Sequence, residues 1–358
     1  MSDGYVRYIG LVTPGLYRKI QCREYPPHKK YLIKAPPSKI AETNGQLPDK
    51  FFAMTTDEHG FINPQHGQLG RDPSIVFLGG STTECIWNNE DRRWPNQVAA
   101  IHNARYPEVA AINTINSGVW GNTTAQSINL LFNKILPLKP AACALMHNIN
   151  DLVLMIHEQD YWHARIPSRN LFVRTEFDGM TAEGACKRLI SNALKRSWQR
   201  LLRRAPQVAA TDEFAALRQQ QSRLDPNTFD QLFSDNLRVF CSICTIKGIT
   251  PILLTQASRL IANGDPEIVN HVTLMMDGKG LSYDEVCGYY QRLNQCVRDV
   301  ATELQVPLID LDRAIPKTRE MMFDSVHFTD LGCDWVADYV AGQLRQIFTP
   351  AVTAGGQG

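Results

Sequence analysis

The fold of this chain is decided by one stretch, Ser74-Ile75-Val76-Phe77-Leu78-Gly79-Gly80-Ser81-Thr82-Thr83. Its apolar residues do not alternate with polar ones, which predicts a strand that is buried on both faces, as in a parallel sheet. The two glycines that follow allow a tight turn, because glycine accepts backbone angles that a Cβ disfavours. Ser81 then stands where a helix can begin, beyond the carboxyl end of a central strand, and open α/β sheets build their sites there.

Two interpretations of Ser81 are open from this stretch alone. As a nucleophile, Ser81 would face the free N–H groups and the positive dipole end of the helix, which favour developing negative charge. As a structural residue, Ser81 or Thr82 would serve only as the N-cap of that helix. The rest of the chain has to decide between these interpretations.

Length, charge and cysteine usage indicate a globular protein of ordinary composition. The 358 residues exceed the usual size of a single core, so one large or two small domains are expected. A formal net charge of +1 gives no global field that would draw the chain to nucleic acid or to a membrane. Nine cysteines without framework spacing indicate a reducing compartment. With no signal-peptide core and no run near the roughly 18 apolar residues of a membrane span, the expected location is cytoplasmic.

Strand and helix patterns alternate along the main part of the chain. Further strands are predicted at 110–115, 141–146, 250–255 and 306–310, and helices at 94–105, 124–137, 283–304 and 329–348. Such alternation is typical of βαβ units and a parallel sheet. The predicted fold class is therefore α/β, a three-layer α/β/α sandwich with a five-stranded parallel sheet.

Three further segments flank or interrupt this α/β domain, which we place at 71–348. Residues 1–70 are broken by prolines but contain recurring aromatics and short apolar pieces at 31–33 and 51–54, so we expect an extension that packs on the core. Between 152 and 226 the pattern is mainly helical, which predicts a helical insertion. The glycine-rich end of the chain, 349–358, is predicted to be disordered.

The insertion contains a basic stretch at 187–204, with seven Lys or Arg residues and no acidic residue. Apolar side chains at helical spacing form one stripe along it: Ile190, Leu194, Trp198 and Leu201. The favoured interpretation is a solvated helix or a lid over the site. The alternatives are peripheral contact with anionic lipid or with an acidic polysaccharide.

Polar residues follow several of the predicted strands: Ser81, Gly121, Asn150 and the pair Asp324 and His327. Because parallel strands end at the same edge of a sheet, these residues could converge. Their types fit acyl transfer, in which an imidazole removes the proton of a serine hydroxyl and a carboxylate fixes the imidazole tautomer. The amide of Asn150 and the backbone N–H of Gly121 could form an oxyanion hole, where one donor is typically worth roughly 3 to 4 kcal/mol.

The same residues stand in four ordered blocks: Gly79-Gly80-Ser81-Thr82-Thr83, Asn116-Ser117-Gly118-Val119-Trp120-Gly121-Asn122-Thr123, Asn148-Ile149-Asn150-Asp151 and Asp324-Ser325-Val326-His327. With these blocks the chain resembles an SGNH (GDSL-type) hydrolase over about 72–348, the insertion excluded. The resemblance implies a triad of Ser81, Asp324 and His327. It also implies an oxyanion hole built from the Ser81 N–H, Gly121 and Asn150, and a flavodoxin-like strand order.

Two positions depart from the family pattern. Gly80 stands where the family usually has an acidic residue, and Asn148 stands where the third block usually opens with glycine. Neither change removes a catalytic group, so activity is expected. Both changes put analogies with the substrates of typical members in doubt.

Three residues near the blocks are candidates for substrate contact. Glu84 and Trp120 flank the expected catalytic positions, although Trp120 could equally belong to the core. His147 precedes the third block and could line the pocket, or it could be a hydrogen-bonded structural histidine. The sequence leaves these alternatives open.

Metal and redox chemistry are not expected. Cys241 and Cys244 form a C-x-x-C pair, but they lie at the end of an amphipathic helix, where core packing is favoured over redox or zinc chemistry. His157 and His163 lack a third ligand at metal spacing, so no metal site is predicted. No cofactor is predicted either.

These features predict a metal-independent serine esterase that works through an acyl-enzyme. Polar residues interleaved with Trp87 and Trp120 suit a sugar, so the expected substrate is a carbohydrate or other small-molecule ester with a short acyl group, such as acetyl. The alternatives are an O-acyltransferase with the same triad, a lipase or thioesterase for longer chains, and a non-catalytic binding module. No nucleic-acid partner is expected.

Overall fold

The computed structural model describes residues 16–348 apart from 44, 67–72, 159, 163–169, 177–219, 223 and 277. The predicted basic stretch at 187–204, His163 and the predicted disordered tail at 349–358 lie outside the described residues. So do the first 15 residues of the predicted N-terminal extension.

Ten strands are found in the described residues. They are β1 (Leu16–Ile20), β2 (Lys30–Lys34), β3 (Phe51–Thr55), β4 (Ile62–His66), β5 (Ser74–Gly79), β6 (Asn113–Gly118), β7 (Ala142–Met146), β8 (Phe172–Glu176), β9 (Thr250–Leu254) and β10 (Leu308–Ile309). The short apolar pieces predicted at 31–33 and 51–54 are β2 and β3, which pair as an antiparallel hairpin.

Ten α-helices connect or flank these strands in the same part of the chain. They are α1 (Pro37–Glu42), α2 (Ser81–Glu84), α3 (Trp94–Arg105), α4 (Thr124–Leu130), α5 (Ile149–Glu158), α6 (Pro226–Ile246), α7 (Pro266–Met275), α8 (Tyr283–Leu304), α9 (Leu311–Ala314) and α10 (Asp330–Phe348). The helix after β6 continues beyond Leu130 as one π turn and one 3₁₀ turn to Leu138. None of the described helices is long and apolar enough to cross a bilayer.

The main sheet confirms the predicted fold class. Its order is β10-β9-β7-β5-β6-β4, and the five strands from β10 to β6 are parallel. In chain order these five strands give the flavodoxin-like arrangement 2-1-3-4-5. Gly79 at the end of β5 pairs with Gly118 on β6 and Met146 on β7, so the segments that follow these strands leave the sheet at one edge.

The sixth strand, β4, was not predicted. It belongs to the N-terminal extension and pairs antiparallel with β6 at the edge of the sheet. Its sequence, Ile-Asn-Pro-Gln-His, has neither an apolar run nor alternation, and Pro64 cannot donate a ladder hydrogen bond. An edge position tolerates that proline, which is why a segment without a strand pattern can still join the sheet.

The second parallel strand begins three residues later than predicted. The prediction of 110–115 followed its apolar residues, whereas β6 covers Asn113–Gly118 and is entirely buried. Its polar side chains are satisfied inside the protein, as when Asn116 Nδ2 donates to Asn96 Oδ1 at 3.1 Å. Asn116, Ser117 and Gly118, which lie beyond the predicted end at 115, therefore belong to the strand.

The central strand β5 is buried on both faces, as its lack of alternation predicts. Val76 and Leu78 pack into the core on the side of α6 and α8, and Ile75 and Phe77 pack into the core on the side of α3 and α10. Complete burial of such a side chain is worth roughly 1.5–3 kcal/mol. This strand therefore anchors both layers, and the turn that follows it is held firmly.

The N-terminal extension and the insertion meet each other. Strand β1 of the extension pairs antiparallel with β8, which lies in the segment predicted as a helical insertion at 152–226. The helical prediction did not include this strand. The extension also contributes apolar residues to the core, among them Phe61 and Met54, each 0% exposed. The boundaries at 70/71 and 348/349 stay predictions.

Candidate active site

Ser81 is positioned by the turn between β5 and α2. Gly80 is the residue before the helix, and Ser81 is the first residue of its single turn. A Cβ on Gly79 would collide with the side chain of Thr83, and a Cβ on Gly80 would collide with the amide of Asn150. Both glycines are therefore required by close packing, and this packing fixes where the Ser81 hydroxyl points.

Ser81, His327 and Asp324 form one hydrogen-bonded chain. His327 Nε2 lies 2.8 Å from Ser81 Oγ, and His327 Nδ1 lies 2.7 Å from Asp324 Oδ2. The other carboxylate oxygen of Asp324 accepts the backbone N–H groups of Val326 at 2.9 Å and His327 at 2.7 Å. The structure thus joins residues 246 positions apart in a geometry that can transfer a proton from serine to imidazole.

Burial differs along this chain of three residues. The side chain of His327 is 19% exposed, whereas that of Asp324 is 6% exposed. The ring of Phe323 stacks on the imidazole, with ring centroids 5.7 Å apart. Burial by itself raises the pKa of Asp324, but the neighbouring His327 and Lys39 outweigh it and hold that pKa well below its usual range. The carboxylate is therefore ionised whenever the imidazole can act as a base.

The segments that could supply oxyanion donors lie beside Ser81. Asn150 stands in the first turn of α5, and its Nδ2 donates to the carbonyl of Asn122 at 2.8 Å. The same amide lies against the Cα of Gly80. Gly121 occupies the turn after β6 with φ +72°, a conformation that favours glycine. Each of the three donor segments is thus held by the end of a parallel strand.

Gln256 joins two of these segments, and sequence reasoning missed it. Its Nε2 donates to Thr82 Oγ1 at 2.9 Å, and its Oε1 accepts the N–H of Ile149 at 2.9 Å. One side chain after β9 therefore ties the helix of Ser81 to the helix of Asn150. No motif could have indicated it, because a glutamine after a strand has many roles.

Comparison with known protein families identifies the family of this chain. Residues 77–335, more than two thirds of the chain, match the GDSL-like Lipase/Acylhydrolase family. The chain belongs to this family. It is therefore an enzyme that hydrolyses ester bonds, and the resemblance to SGNH (GDSL-type) hydrolases is confirmed. No curated protein matches the chain.

Solved structures of similar shape are distant from this GDSL-like enzyme in sequence. An α/β hydrolase from the metagenome of Lake Arreo in Spain is 15% identical, with 76% of this chain and 94% of that chain covered and a TM-score of 0.43. A GDSL-like lipase from Bacteroides thetaiotaomicron is 12% identical, with coverages of 79% and 91% and a TM-score of 0.42. An acetylxylan esterase from Geobacillus stearothermophilus is 12% identical, with coverages of 78% and 95% and a TM-score of 0.43.

Glu84 of this GDSL-like enzyme faces the protein interior. Its side chain is 0% exposed and accepts a hydrogen bond from the hydroxyl of Tyr25 in the N-terminal extension. Burial raises its pKa to about 7. The predicted substrate contact of Glu84 is therefore not what the structure shows, because the carboxyl group has no surface for a ligand.

His147 is also an interior residue. Its Nε2 lies 2.7 Å from Ser127 Oγ, its Nδ1 lies 3.7 Å from Asp151 Oδ2, and its side chain is 1% exposed. Burial lowers its pKa to about 3, so the imidazole is neutral. Of the two interpretations that the sequence left open, the structure supports the hydrogen-bonded structural histidine.

Three further residues singled out in the sequence are Trp120, Cys241 and Cys244. Trp120 is half-buried, and its carbonyl accepts a hydrogen bond from Arg23 Nη2 at 3.0 Å; its contact with a substrate stays a prediction. Cys241 and Cys244 are buried in α6, where burial raises the pKa of Cys241 to about 12. Both thiols lie in the apolar core.

Ser81 and His327 open onto a narrow crevice that continues into a wider cleft. Trp87, Asn88 and Phe323 line both spaces. The wider cleft has a volume of about 430 Å³ and is bounded on its far side by Lys50 and Phe52 of the extension. The described part of the site thus offers a tight space next to the hydroxyl and a broad, partly aromatic space beyond it.

Proposed function

We propose that this GDSL-like enzyme is a serine esterase that works through an acyl-enzyme, with Ser81 as nucleophile, His327 as general base and Asp324 as its partner. The observation that carries the proposal is the continuous hydrogen-bonded chain, 2.8 Å from serine to imidazole and 2.7 Å from imidazole to carboxylate. A serine hydroxyl becomes an effective nucleophile only when such a base takes its proton.

The reaction begins when the Ser81 oxygen attacks the ester carbonyl and its proton moves to His327 Nε2. The negative charge that develops on the carbonyl oxygen is stabilised by the N–H of Ser81, the N–H of Gly121 and the amide of Asn150. The amide nitrogen of Asn150 carries two hydrogens, and the contact with Asn122 uses one.

The proton held by His327 then leaves with the alcohol, which completes the first half of the reaction. The imidazolium of His327 gives its proton to the leaving alcohol, and the acyl group remains on Ser81. Water then enters, and its oxygen attacks the acyl carbon while His327 Nε2 takes one of its protons. The bond between Ser81 Oγ and the acyl carbon breaks as His327 returns that proton to Ser81 Oγ, which releases the acid and restores the enzyme. The ionised Asp324 stabilises the imidazolium in both halves, and the low pKa of this carboxyl keeps the proton on the imidazole.

The proposed substrate is a short acyl ester, such as an acetyl ester, of a polyhydroxylated alcohol of the carbohydrate class. The support is the lining of the wider cleft, where aromatic Trp87 and Phe323 stand together with polar groups such as Lys50 and Glu320. Aromatic faces suit the apolar faces of a sugar, and polar groups suit its hydroxyls. The alcohol portion would occupy the wider cleft.

A chain-length series tests this assignment. We expect kcat/KM for p-nitrophenyl acetate to exceed that for the octanoate and palmitate esters, with all activity lost in Ser81→Ala. We also expect Trp87→Ala to raise KM for an acetylated disaccharide by about threefold to tenfold, with little effect on p-nitrophenyl acetate. A preference for palmitate, or equal effects of Trp87→Ala on both acetyl esters, would contradict the carbohydrate assignment.

A further inference from the structure

The carboxylate of Asp324 has a second cationic partner besides His327. Lys39 Nζ lies 2.7 Å from Asp324 Oδ2, the same oxygen that accepts from His327 Nδ1 at 2.7 Å. Lys39 stands on α1 of the N-terminal extension, outside the four sequence blocks and outside the segment that matches the family. One oxygen therefore lies between two groups that can both carry positive charge.

The ammonium group of Lys39 is partly shielded from solvent. Its side chain is 22% exposed, and the carboxyl that it contacts is 6% exposed. Burial by itself lowers the pKa of Lys39, but the carboxylates of Asp324 and Glu42 raise it above the usual value. The ammonium group is therefore charged at every pH at which the enzyme is expected to work.

We propose that Lys39 is a positioning residue that sets the lower end of the pH range over which the triad works. The proposal rests on the function proposed above for Ser81, His327 and Asp324. Lys39 does not touch the reacting atoms; it acts through the shared carboxylate.

The physical reason is a competition between two positive charges. With Lys39 against Asp324 Oδ2, the carboxylate attracts a proton on His327 less strongly than it would alone. Removal of the Lys39 charge would therefore favour the imidazolium, and only the free imidazole can take the proton of Ser81. The ion pair with Lys39 also restrains the carboxylate of Asp324 at the oxygen that accepts from His327 Nδ1.

Other charged groups nearby do not replace Lys39. Glu42 lies 3.5 Å from Lys39 Nζ on the same helix, and His271 of α7 lies 3.9 Å from Glu42. Arg259 packs behind the loop of Asp324, but its guanidinium donates to the carbonyl of Met322 and pairs with Asp265. Among the described residues, no lysine or arginine other than Lys39 forms an ion pair with the carboxylate of Asp324.

The test compares pH profiles of kcat/KM for p-nitrophenyl acetate in the full chain. We expect Lys39→Met to move the acid limb to higher pH by about one unit, because a charge within 4–6 Å typically shifts a titration by about that much or more. Lys39→Arg keeps the charge and should restore the profile. Lys34→Met removes a lysine of the same extension that pairs with Asp49, so it is the matched control and should leave the limb unmoved.

An unchanged acid limb in Lys39→Met, or an equal shift in Lys34→Met, would overturn the proposal. Lys39→Gln serves as a second neutral variant if the methionine variant folds poorly. An NMR titration of the His327 ring, assigned by loss of its signal in His327→Gln, gives a readout that needs no turnover. Its midpoint should move to higher pH in Lys39→Met even if Ser81→Ala retained activity and the proposed function failed.

Discussion

The part of the chain that the structure describes contains two groupings of serine, histidine and aspartate, and they differ in the contacts of the carboxylate and in exposure. One grouping is Ser81, His327 and Asp324 at the carboxyl edge of the sheet. The other, Ser127, His147 and Asp151, lies beneath it between α4 and α5. In both groupings the imidazole Nε2 is within hydrogen-bond distance of the serine oxygen, 2.8 Å in the first and 2.7 Å in the second.

The carboxylates distinguish the two groupings. Asp324 contacts His327 Nδ1 at 2.7 Å, whereas Asp151 lies 3.7 Å from His147 Nδ1. Asp151 instead accepts from Thr124 Oγ1 at 2.6 Å and from the hydroxyl of Tyr161 at 2.7 Å. Burial raises the pKa of Asp151 to about 6. A carboxyl group that lies 3.7 Å from the imidazole and has a raised pKa stabilises an imidazolium less well than Asp324, which is 2.7 Å away and has a lowered pKa.

The two groupings also differ in how far their histidine side chains are exposed to solvent. The side chain of His327 is 19% exposed, and that of His147 is 1% exposed. Burial keeps His147 neutral, since a buried charge is costly. The comparison teaches that three residue types at hydrogen-bond distance are not enough, and that an ionised partner and an opening to solvent decide which grouping can react.

Replacing each of the two serines by alanine should give the largest difference in activity between the two groupings. We expect Ser81→Ala to lower kcat/KM for p-nitrophenyl acetate by about 10⁴-fold or more, because the nucleophile is lost. Ser127→Ala should leave kcat/KM within about threefold and lower the free energy of unfolding by about 1 kcal/mol, the usual worth of one hydrogen bond. Steady-state kinetics and urea unfolding of the two variants test this. Loss of activity in Ser127→Ala alone would reverse our assignment.

Substitution of Asp324 should have the second-largest effect on activity. Asp324→Asn keeps the shape but presents an amide to His327 Nδ1, which favours the wrong tautomer, and we expect kcat to fall by about 10³- to 10⁴-fold. KM should change little, because Asp324 does not face the cleft. Kinetics of this variant would contradict our account if kcat stayed within tenfold of the wild type.

Asn150 and Gly80 should give a smaller, linked effect. Asn150→Ala removes one oxyanion donor, and we expect kcat to fall by about 10²- to 10³-fold. Gly80→Ala should cause a similar loss, because the new Cβ would occupy the place of the Asn150 amide. The double variant should be hardly slower than either single variant. Additive losses in the double variant would show that Gly80 acts independently of Asn150.

The buried grouping should affect how the free energy of unfolding depends on pH, because it contains His147. The pKa of His147 is about 3 in the folded protein, compared with the ordinary value of 6.5. Between these values the unfolded chain binds a proton that the folded chain does not, so the free energy of unfolding decreases as the pH falls. The slope from this residue is at most about 1.4 kcal/mol per pH unit.

His147→Gln removes this contribution. The variant should therefore lose less stability than the wild type between about pH 6.5 and about pH 4.5, in urea unfolding at both values. Asp151 and Glu84 titrate in both proteins, so the difference between the two reports His147. Equal pH slopes would mean that the imidazole is not buried in the neutral form.

The sequence was most informative where local pattern and tertiary role agree. The apolar run before Ser81 predicted the central strand, and the helices at 94–105 and 283–304 have the predicted bounds. Amphipathic periodicity and a capping serine at Ser282 mark the second of these helices. The residues that form the Ser81–His327–Asp324 chain were also predicted, since they stand in ordered blocks after strands.

The sequence was least informative where a residue acts through a distant partner. Lys39 stands in a proline-rich extension, and only the folded chain shows that it contacts Asp324. Gln256 likewise has no local pattern. Glu84 was a candidate for substrate contact because it is close to Ser81 in sequence, but its side chain is buried and bonded to Tyr25. Such contacts depend on tertiary packing, which periodicity and spacing do not encode.

Fluorophosphonate labelling followed by peptide mass spectrometry tests the central claim most directly. The probe reacts with a serine only where a base and an oxyanion hole are assembled around it. Our account predicts one adduct on the peptide that carries Ser81, absent in Ser81→Ala and retained in Ser127→Ala. An adduct on Ser127, or labelling that persists in Ser81→Ala, would contradict it.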